Sequence, residues 1–270
     1  MHVTGLQEKH KQVRRLIKDF ESVAVAFSGG VDSSLLLYLA HLELGDRCLA
    51  VTAHSPVVPA RELVEAQAFC ETYGIRHVII KNDVFSIEGF FSNPPDRCYL
   101  CKNTLLANIK AVAKDNGLAW VVEGSNLDDE NDYRPGKRAV DEHGVKSPLQ
   151  DAGLTKDEIR KLSREFGLLT AEKQAYTCLA TRFLYGEEIT AERLARVDKA
   201  EQFLMDNGLK QIRVRSHGDL ARIETDKAGM TAFSDTAFRK RVYEAFTAYG
   251  FAFVSLDLIG YKTGSMNAGI

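Results

Sequence analysis

The residues best suited to chemistry lie in one short turn, Ser28-Gly29-Gly30-Val31-Asp32-Ser33. A run of valine and alanine residues precedes this turn and a strongly apolar segment follows it. This pattern predicts a buried strand, a tight turn and a buried helix. Glycine lets the backbone approach a ligand closely, and the free N–H groups at a helix N-terminus attract anions. The turn is therefore predicted to bind phosphate through Ser28, Gly29, Gly30, Asp32 and Ser33.

The spacing of the turn excludes two common phosphate-binding motifs. No lysine follows the glycines, as a Walker loop requires, and the Gly-x-Gly-x-x-Gly pattern of dinucleotide-binding proteins is absent. The segment instead resembles the pyrophosphate loop (PP-loop) of the ATP pyrophosphatases. Enzymes of that class split ATP into AMP and pyrophosphate, usually to adenylate an acceptor. The alternative is an ordinary glycine turn between a strand and a helix.

A second informative stretch, 124–136, carries four carboxylates within five residues directly after a predicted strand. Mg²⁺ prefers a few oxygen ligands together with substrate phosphates. Asp32 with Asp128 or Asp129 could supply such oxygens, and Arg134 could stabilise an anionic leaving group or acceptor. The stretch could equally be a solvated acidic loop.

The chain has five cysteines, an odd number that argues against a disulfide framework. Cys98 and Cys101 form a Cys-x-x-Cys pair ahead of a predicted helix, and Cys178 lies far along the chain. The pair could be a redox dithiol, half of a zinc site, part of an iron–sulfur site or two unrelated thiols. Cys48 and Cys70 occupy apolar patterns and are expected to be small buried side chains.

Two arginines, Arg213 and Arg215, alternate along a predicted strand and therefore point to the same face of a sheet. Two guanidinium groups on one face can hold a phosphate or a carboxylate. The alternative is that both are ordinary exposed arginines.

The elements that position these residues alternate between strands and helices, which predicts an α/β fold with a parallel sheet covered by helices on both faces. Ligands of such folds bind beyond the carboxyl ends of the strands. Ser28, the Ala53–Ser55 segment and the Gly124–Asp129 segment, which includes Asn126, are expected at that edge. The predicted strands lie just before Ser28 and at 48–52, 77–80 and 119–122, and the helices follow Ser33 and occupy 61–73 and 102–116.

The pattern changes after a predicted capping box at Thr155 and Glu158 and the helix that it opens. A helix, two strands, a helical segment and a final strand follow, which predicts a separate α+β unit. The boundary is expected near Tyr185, giving a domain of residues 1–185 and a smaller domain of residues 186–270.

The composition of the chain limits the classes of protein to which it can belong. The chain has 270 residues, 45% of them hydrophobic, with a formal net charge of −2. A near-neutral chain of this kind gives no sign of nucleic-acid or membrane binding. The first twenty residues are polar and amphipathic, unlike a signal peptide or a membrane span. We therefore expect a cytoplasmic protein.

Several stretches together resemble the LarE family, which makes the nickel-pincer nucleotide cofactor. They are the Ser28–Ser33 turn, Asn131-Asp132-Tyr133-Arg134-Pro135-Gly136, Cys178 with Arg182-Phe183, Arg213-Val214-Arg215, and the tail from Leu256 to Asn267. The resemblance implies a PP-loop fold, similar to the adenine nucleotide alpha hydrolases, that uses MgATP. It also implies that a carboxylate of a pyridinium biscarboxylic acid mononucleotide is adenylated and becomes a thiocarboxylate. Arg134, Arg182, Arg213 and Arg215 would bind the substrate phosphate.

The same resemblance bears on the cysteines. Some members of the family give up the sulfur of one cysteine, and Cys178 matches that position. Others hold a 4Fe–4S cluster on three cysteines, as Cys98, Cys101 and Cys178 would. Because the sacrificial type lacks the Cys-x-x-Cys pair, this chain resembles the cluster type. Leu184 stands where the family pattern has proline.

The resemblance further implies a homo-oligomer, with a hexamer as one form, and a place beside other enzymes of nickel-pincer cofactor assembly. Rival interpretations are a tRNA thiolase or an amide synthetase on the same fold, and a protein that binds AMP without turnover. The near-neutral charge weighs against the tRNA thiolase, and no ammonia source is evident for an amide synthetase.

Overall fold

The computed structural model describes residues 5–131, 136–174, 176–262 and 265–267. Internal contacts divide the chain into two units. The main division falls between Tyr176 and Thr177, nearer the N-terminus than the boundary expected between residues 185 and 186. The first unit comprises Met1–Ser55, Ala60–Asp83 and Asp96–Tyr176, and the second comprises Pro56–Pro59, Val84–Pro95 and Thr177–Ile270.

The first unit is built on a four-stranded parallel sheet, as the sequence predicts. Its strands are β1 (Val23–Ala26), β2 (Cys48–His54), β3 (His77–Lys81) and β4 (Trp120–Val122), in the order β3-β2-β1-β4. The register aligns Val23 of β1 with Cys48 and Trp120 on its two neighbours. The strands therefore end at one edge, and the segments that follow β1, β2 and β4 meet there.

Helices cover both faces of this sheet. They are α1 (Leu6–Asp19), α2 (Val31–Leu44), α3 (Ala60–Tyr73), α4 (Arg97–Asp115), α5 (Gly136–His143), α6 (Pro148–Asp151) and α7 (Lys156–Glu165). Val23 and Val25 of β1 pack in one apolar cluster with leucines of α2, while Ala24 packs in another with Leu106 and Ile109 of α4. Burial on both faces explains why the sequence of the central strand β1, Val-Ala-Val-Ala, is continuously apolar rather than alternating.

Two local predictions from the sequence have different outcomes. The capping box at the start of α7 is confirmed: the Thr155 side chain accepts from the backbone N–H of Glu158, whose carboxylate accepts from the N–H of Thr155. The predicted start of α4 at residue 102 is wrong. Because α4 begins at Arg97, the Cys-x-x-Cys pair lies inside its first two turns rather than before it.

The second unit contains a three-stranded sheet in the order β5-β6-β7. β5 (Ile212–His217) and β6 (Leu220–Thr225) form an antiparallel hairpin, and β7 (Phe253–Leu256) pairs parallel to β6. The helix before the hairpin is α8 (Ala191–Asp206). The predicted helical segment after the hairpin is two helices, α9 (Lys227–Ala232) and α10 (Thr236–Ala248), because aspartates cap each start.

In the described part of the chain, none of the helices combines the length and the apolar character that a membrane crossing requires.

Candidate functional site

The turn between β1 and α2 brings its predicted residues together. Gly29 has a φ of 72°, in the left-handed region that favours glycine, and Gly30 is the extended residue just before α2. The hydroxyl oxygens of Ser28 and Ser33 lie 3.0 Å apart, and the Ser33 hydroxyl donates to the carbonyl of Gly30 at 3.1 Å. The two hydroxyl groups therefore lie together beside the N-terminus of α2, a position that favours anions.

Gly124 brings the end of β4 against this turn. A Cβ atom at Gly124 would lie 2.9 Å from the backbone nitrogen of Ser33 and 3.2 Å from the carbonyl carbon of Asp32. Any larger residue would collide with backbone at both places. The end of β4 and the start of α2 can approach this closely only because residue 124 is a glycine.

The carboxylate of Asp32 joins α2 to the acidic stretch. One oxygen accepts from the Asn126 side-chain amide at 3.3 Å, and the other accepts from the Lys156 ammonium group. The backbone N–H of Asn126 donates to Asp129 at 3.0 Å, and the N–H of Lys156 donates to Asp128 at 2.8 Å. The structure thus brings the predicted residues of this group together and adds Lys156, which sequence reasoning missed.

These oxygens suit Mg²⁺. Mg²⁺ usually binds one or two protein carboxylates and takes its other ligands from water and substrate phosphates. Within the described residues of either unit, no group of three or more His, Cys, Asp and Glu side chains is arranged to hold a metal. The carboxylates of Asp32 and of Asp128 or Asp129 fit a phosphate-bound Mg²⁺, which would compete with the Lys156 ammonium for Asp32.

β2 ends beside the same turn. The N–H of Phe27 donates to the carbonyl of Val51 at 2.9 Å, so Ala53 and His54 lie just beyond the level of the phosphate-binding turn. Ala53 is partly buried and Ser55 is buried. Ala53 therefore lies at the expected edge of the sheet.

A buried carboxylate, Glu123, ties the cysteine-bearing helix to β4. It accepts from the Lys102 ammonium at 3.1 Å, the Ser125 N–H at 3.1 Å and the Ser147 hydroxyl at 2.6 Å. Burial alone would raise the pKa of Glu123, but the Lys102 charge and the hydrogen bonds outweigh it and lower the pKa below its usual value. Lys102 follows Cys101 directly in α4, so this ion pair fixes the helix near the site.

Cys98 and Cys101 lie three residues apart near the N-terminus of α4 and so share one face of the helix. Cys98 is exposed, and Cys101 is half-buried with its sulfur 3.8 Å from the Asn82 side-chain amide. Cys48 and Cys70 are buried, and burial raises the pKa of each thiol to about 12. The expectation that these two are small buried core residues is confirmed.

In the second unit, Arg182 holds the turn that contains Cys178. Its guanidinium is fully buried and pairs with Glu201 through two hydrogen bonds of 2.8 and 2.9 Å. The third guanidinium nitrogen donates to the carbonyls of Thr177 and Cys178 at 3.1 and 3.2 Å. Burial would raise the pKa of Glu201, but the Arg182 charge keeps that pKa below its usual value. Arg182 therefore holds the backbone at the half-buried Cys178 in place.

Arg213 and Arg215 are buried in the second unit, so the alternative that they are ordinary exposed arginines is wrong. Arg215 donates twice to Glu224, at 2.8 and 3.0 Å, and also to the carbonyl of Thr181 at 3.0 Å. The Arg213 guanidinium lies 5.1 Å from the centre of the Tyr261 ring. Burial, and then the nearby charge of Arg182, lower the pKa of Arg213.

Arg134, which the sequence offers as an anion-stabilising residue, lies outside the described residues.

The two-faced parallel sheet, the hydroxyl-bearing turn and the glycine contact from β4 define the PP-loop fold of the ATP pyrophosphatase class. Residues 6–116 match the NAD synthase family. The chain belongs to the family of pyridinium-3,5-bisthiocarboxylic acid mononucleotide synthases, as its similarity to relatives over nearly its whole length shows.

Three relatives show the extent of the similarity. The synthase of that name from Lactiplantibacillus plantarum is 38% identical over 252 residues, covering 93% of this chain and 91% of its own. An uncharacterised protein from Synechocystis is 38% identical over 97% of this chain and 98% of its own. One of the subunits of the glutamine-hydrolysing GMP synthase from Archaeoglobus fulgidus is 25% identical over 72% of this chain and 67% of its own.

Gly124→Ala tests the contact between β4 and α2. Because the new methyl group would meet backbone atoms that cannot move aside, we expect the free energy of unfolding to fall by about 1–3 kcal/mol. Denaturant unfolding followed by circular dichroism measures this change. Gly5→Ala is the matched control, since no atom lies within 4 Å of a Cβ built at Gly5. Equal stability of the two variants would contradict the close approach at Gly124.

Proposed function

We propose that this protein is an ATP-dependent sulfur transferase. It adenylates a carboxylate of a pyridinium biscarboxylic acid mononucleotide and converts that carboxylate to a thiocarboxylate. The observation that carries the proposal is the convergence of the Ser28 and Ser33 hydroxyls and the α2 N-terminus beside Asp32. The name of the Lactiplantibacillus plantarum relative, which describes a bisthiocarboxylic acid mononucleotide product, supports the choice of substrate.

In the first half of the reaction, the turn from Ser28 to Ser33 binds the ATP phosphates. A carboxylate oxygen of the substrate attacks the α-phosphorus, and the bond from that phosphorus to the bridging oxygen breaks. Pyrophosphate leaves with the electron pair, and the products are an acyl-adenylate and pyrophosphate. Asp32 with Asp128 or Asp129 would hold Mg²⁺, whose charge would stabilise the departing pyrophosphate. Ala53, Gly124 and Asn126 surround the nucleotide.

In the second half, a sulfur nucleophile attacks the acyl carbon, and AMP leaves with its oxygen. Adenylation makes this step possible because AMP is a far better leaving group than the oxide ion that a free carboxylate would have to expel. The oxygen that the carboxylate loses therefore ends in AMP.

Arg213 and Arg215 would bind the phosphate of the mononucleotide. The support for this phosphate site is electrostatic. In the buried set of Arg182, Arg213, Arg215, Glu201 and Glu224, the guanidinium groups outnumber the carboxylates. A phosphate would compensate the charge that burial makes unfavourable at Arg213. Arg182 uses its guanidinium on Glu201 and the Cys178 turn, which favours a positioning role over the direct phosphate contact that the family resemblance implies.

We propose that Cys98, Cys101 and Cys178 bind a 4Fe–4S cluster. Two thiols on one face at the N-terminus of α4 fit two ligand positions of such a cluster. When bound, the cluster would deliver sulfur to the acyl-adenylate and spare the cysteines. The alternative is that Cys178 gives up its own sulfur and becomes dehydroalanine.

The partners, the cellular location and the oligomeric state are inferred from the proposed reaction and from the family resemblance. The substrate is a small mononucleotide, and the product would pass to other enzymes of nickel-pincer cofactor assembly in the cytoplasm. We propose a homo-oligomer, with a hexamer as the form to test. No nucleic acid takes part.

A second candidate function is an amide-forming synthetase, because a GMP synthase subunit is 25% identical over 72% of this chain. Both functions would release pyrophosphate from ATP. Only the synthetase would require ammonia, and only the sulfur transferase would require the pyridinium mononucleotide. A protein that binds AMP without turnover would release no pyrophosphate with either.

Asp32→Ala tests the ATP site. Loss of a preorganised charge at the phosphates should lower the rate of pyrophosphate release from MgATP and the pyridinium substrate by at least ~10²-fold. A coupled pyrophosphate assay measures this rate. Asp46→Ala, at an exposed carboxylate in the turn after α2, is the control and should retain the wild-type rate. An unchanged rate in Asp32→Ala would rule out its assignment.

Anaerobic reconstitution tests the cysteines. Wild type should bind iron and sulfide, whereas Cys98→Ala, Cys101→Ala and Cys178→Ala should each lose most of both because each removes one thiolate ligand. Cys70→Ala is the control, since Cys70 is buried in the core of the first unit. Equal iron in all five proteins would contradict the cluster. Loss of one sulfur from Cys178 after turnover, measured by mass spectrometry, would identify the sacrificial route.

A further inference from the structure

The carbonyl group of the PP-loop residue Gly29 is held by a lysine from a distant part of the same unit. The ammonium group of Lys173, beyond α7, donates to the Gly29 carbonyl oxygen at 3.0 Å. It also contacts Glu62 at 2.8 Å and Glu65 at 2.6 Å, both on α3. The side chain of Lys173 is only 10% exposed. A single buried cation therefore links α3, the segment after α7 and the phosphate-binding turn.

If the buried ion pair served only to stabilise the fold, its burial would be unfavourable. Removing an ammonium group and a carboxylate from water carries a large desolvation penalty, and apolar residues of similar size often stabilise a fold as well or better. Glu62 is buried too, and burial raises its pKa even though Lys173 acts in the opposite direction. The ion pair alone is therefore a weak reason for a lysine at this position, and the contact with Gly29 supplies a stronger one.

The geometry of the peptide bond shows what that contact does. In a planar trans peptide, the C=O of Gly29 and the N–H of Gly30 point in opposite directions. Fixing the carbonyl on Lys173 therefore turns the Gly30 N–H away from Lys173. The Gly30 N–H donates a long hydrogen bond, 3.4 Å, to the Ser28 hydroxyl, so it points to the side where the Ser28 and Ser33 hydroxyls meet.

Two successive glycines are free to rotate this peptide, because neither has a side chain that restricts its backbone. A rotated peptide would direct the Gly29 carbonyl oxygen, a hydrogen-bond acceptor, at the phosphate and withdraw an N–H donor. That change would replace an attraction with a repulsion between the turn and an anion.

We propose that Lys173 is a positioning residue for nucleotide binding, which holds the Gly29–Gly30 peptide in the orientation that presents the Gly30 N–H to a phosphate. The inference rests on the proposed use of ATP by this turn. Lys173 itself does not contact the nucleotide in this account, since its ammonium group is already bound by Glu62, Glu65 and the Gly29 carbonyl.

The test measures MgATP affinity by calorimetry on the full chain. Lys173→Met should lower the affinity at least ~tenfold, about the effect of one charge-assisted hydrogen bond. Because this change leaves Glu62 buried without its cation, the double variant Lys173→Met with Glu62→Gln is measured as well and should show the same loss. Lys173→Arg, which keeps a donor for the Gly29 carbonyl, should recover most of the affinity.

Two controls separate positioning from folding. Lys110→Met removes another lysine that donates to a backbone carbonyl, that of His143, at an exposed place away from the turn, and it should bind MgATP as wild type does. Denaturant unfolding should show that the double variant remains cooperatively folded while its affinity is reduced. If the folded double variant binds MgATP with wild-type affinity, the proposed role of Lys173 is wrong, but the proposed function is not affected. Absence of MgATP binding by wild type would overturn both this role and the proposed function.

Discussion

The fixed conformation of the turn that leads into α2 is the constraint on which the first unit depends. In the proposed function the turn must present its hydroxyl and backbone N–H groups to a phosphate, while the surrounding chain packs close enough to fix them. Three distant segments meet this requirement. Gly124 brings the end of β4 against Ser33, Lys156 binds the carboxylate of Asp32, and Lys173 holds the carbonyl of Gly29. Contacts from three distant segments thereby hold the turn in place.

The second unit depends on a different interaction, which is the pairing of buried arginines with carboxylates. Buried guanidinium groups are tolerated when carboxylates pair with them. Glu201 pairs with Arg182, and Glu224 with Arg215, while Arg213 lies over Tyr261. The same network fixes the Cys178 turn through the carbonyls that Arg182 contacts. In the proposed function, substrate recognition and the placement of a reactive sulfur thus depend on one set of ion pairs.

Sequence reasoning succeeds where the signal is local. The PP-loop residues are contiguous, the central strand is continuously apolar, and the capping box spans four residues, so each could be predicted. It fails where the partner is remote. Lys156 and Lys173 lie 124 and 144 residues from Asp32 and Gly29, and as single lysines near charged neighbours they resemble ordinary surface residues. Only the fold brings them to the turn.

The start of α4 illustrates another limit. Two prolines at 94 and 95 are a strong signal for a break, and they favour a loop at the cysteines that follow. The helix nevertheless begins at Arg97, directly after the residue that follows the second proline. This difference matters for function, because it places both thiols inside the helix, near its N-terminus, rather than just ahead of it.

The central claim is that a substrate carboxylate attacks ATP. The most direct measurement uses the pyridinium mononucleotide with its carboxylates labelled with heavy oxygen, incubated with unlabelled MgATP and a sulfide source. Mass spectrometry of the AMP then reports where the carboxylate oxygen goes. The account predicts that each turnover places one labelled oxygen on the phosphate of AMP and leaves the pyrophosphate unlabelled. AMP without label, formed while the substrate gains sulfur, would contradict adenylation of the carboxylate.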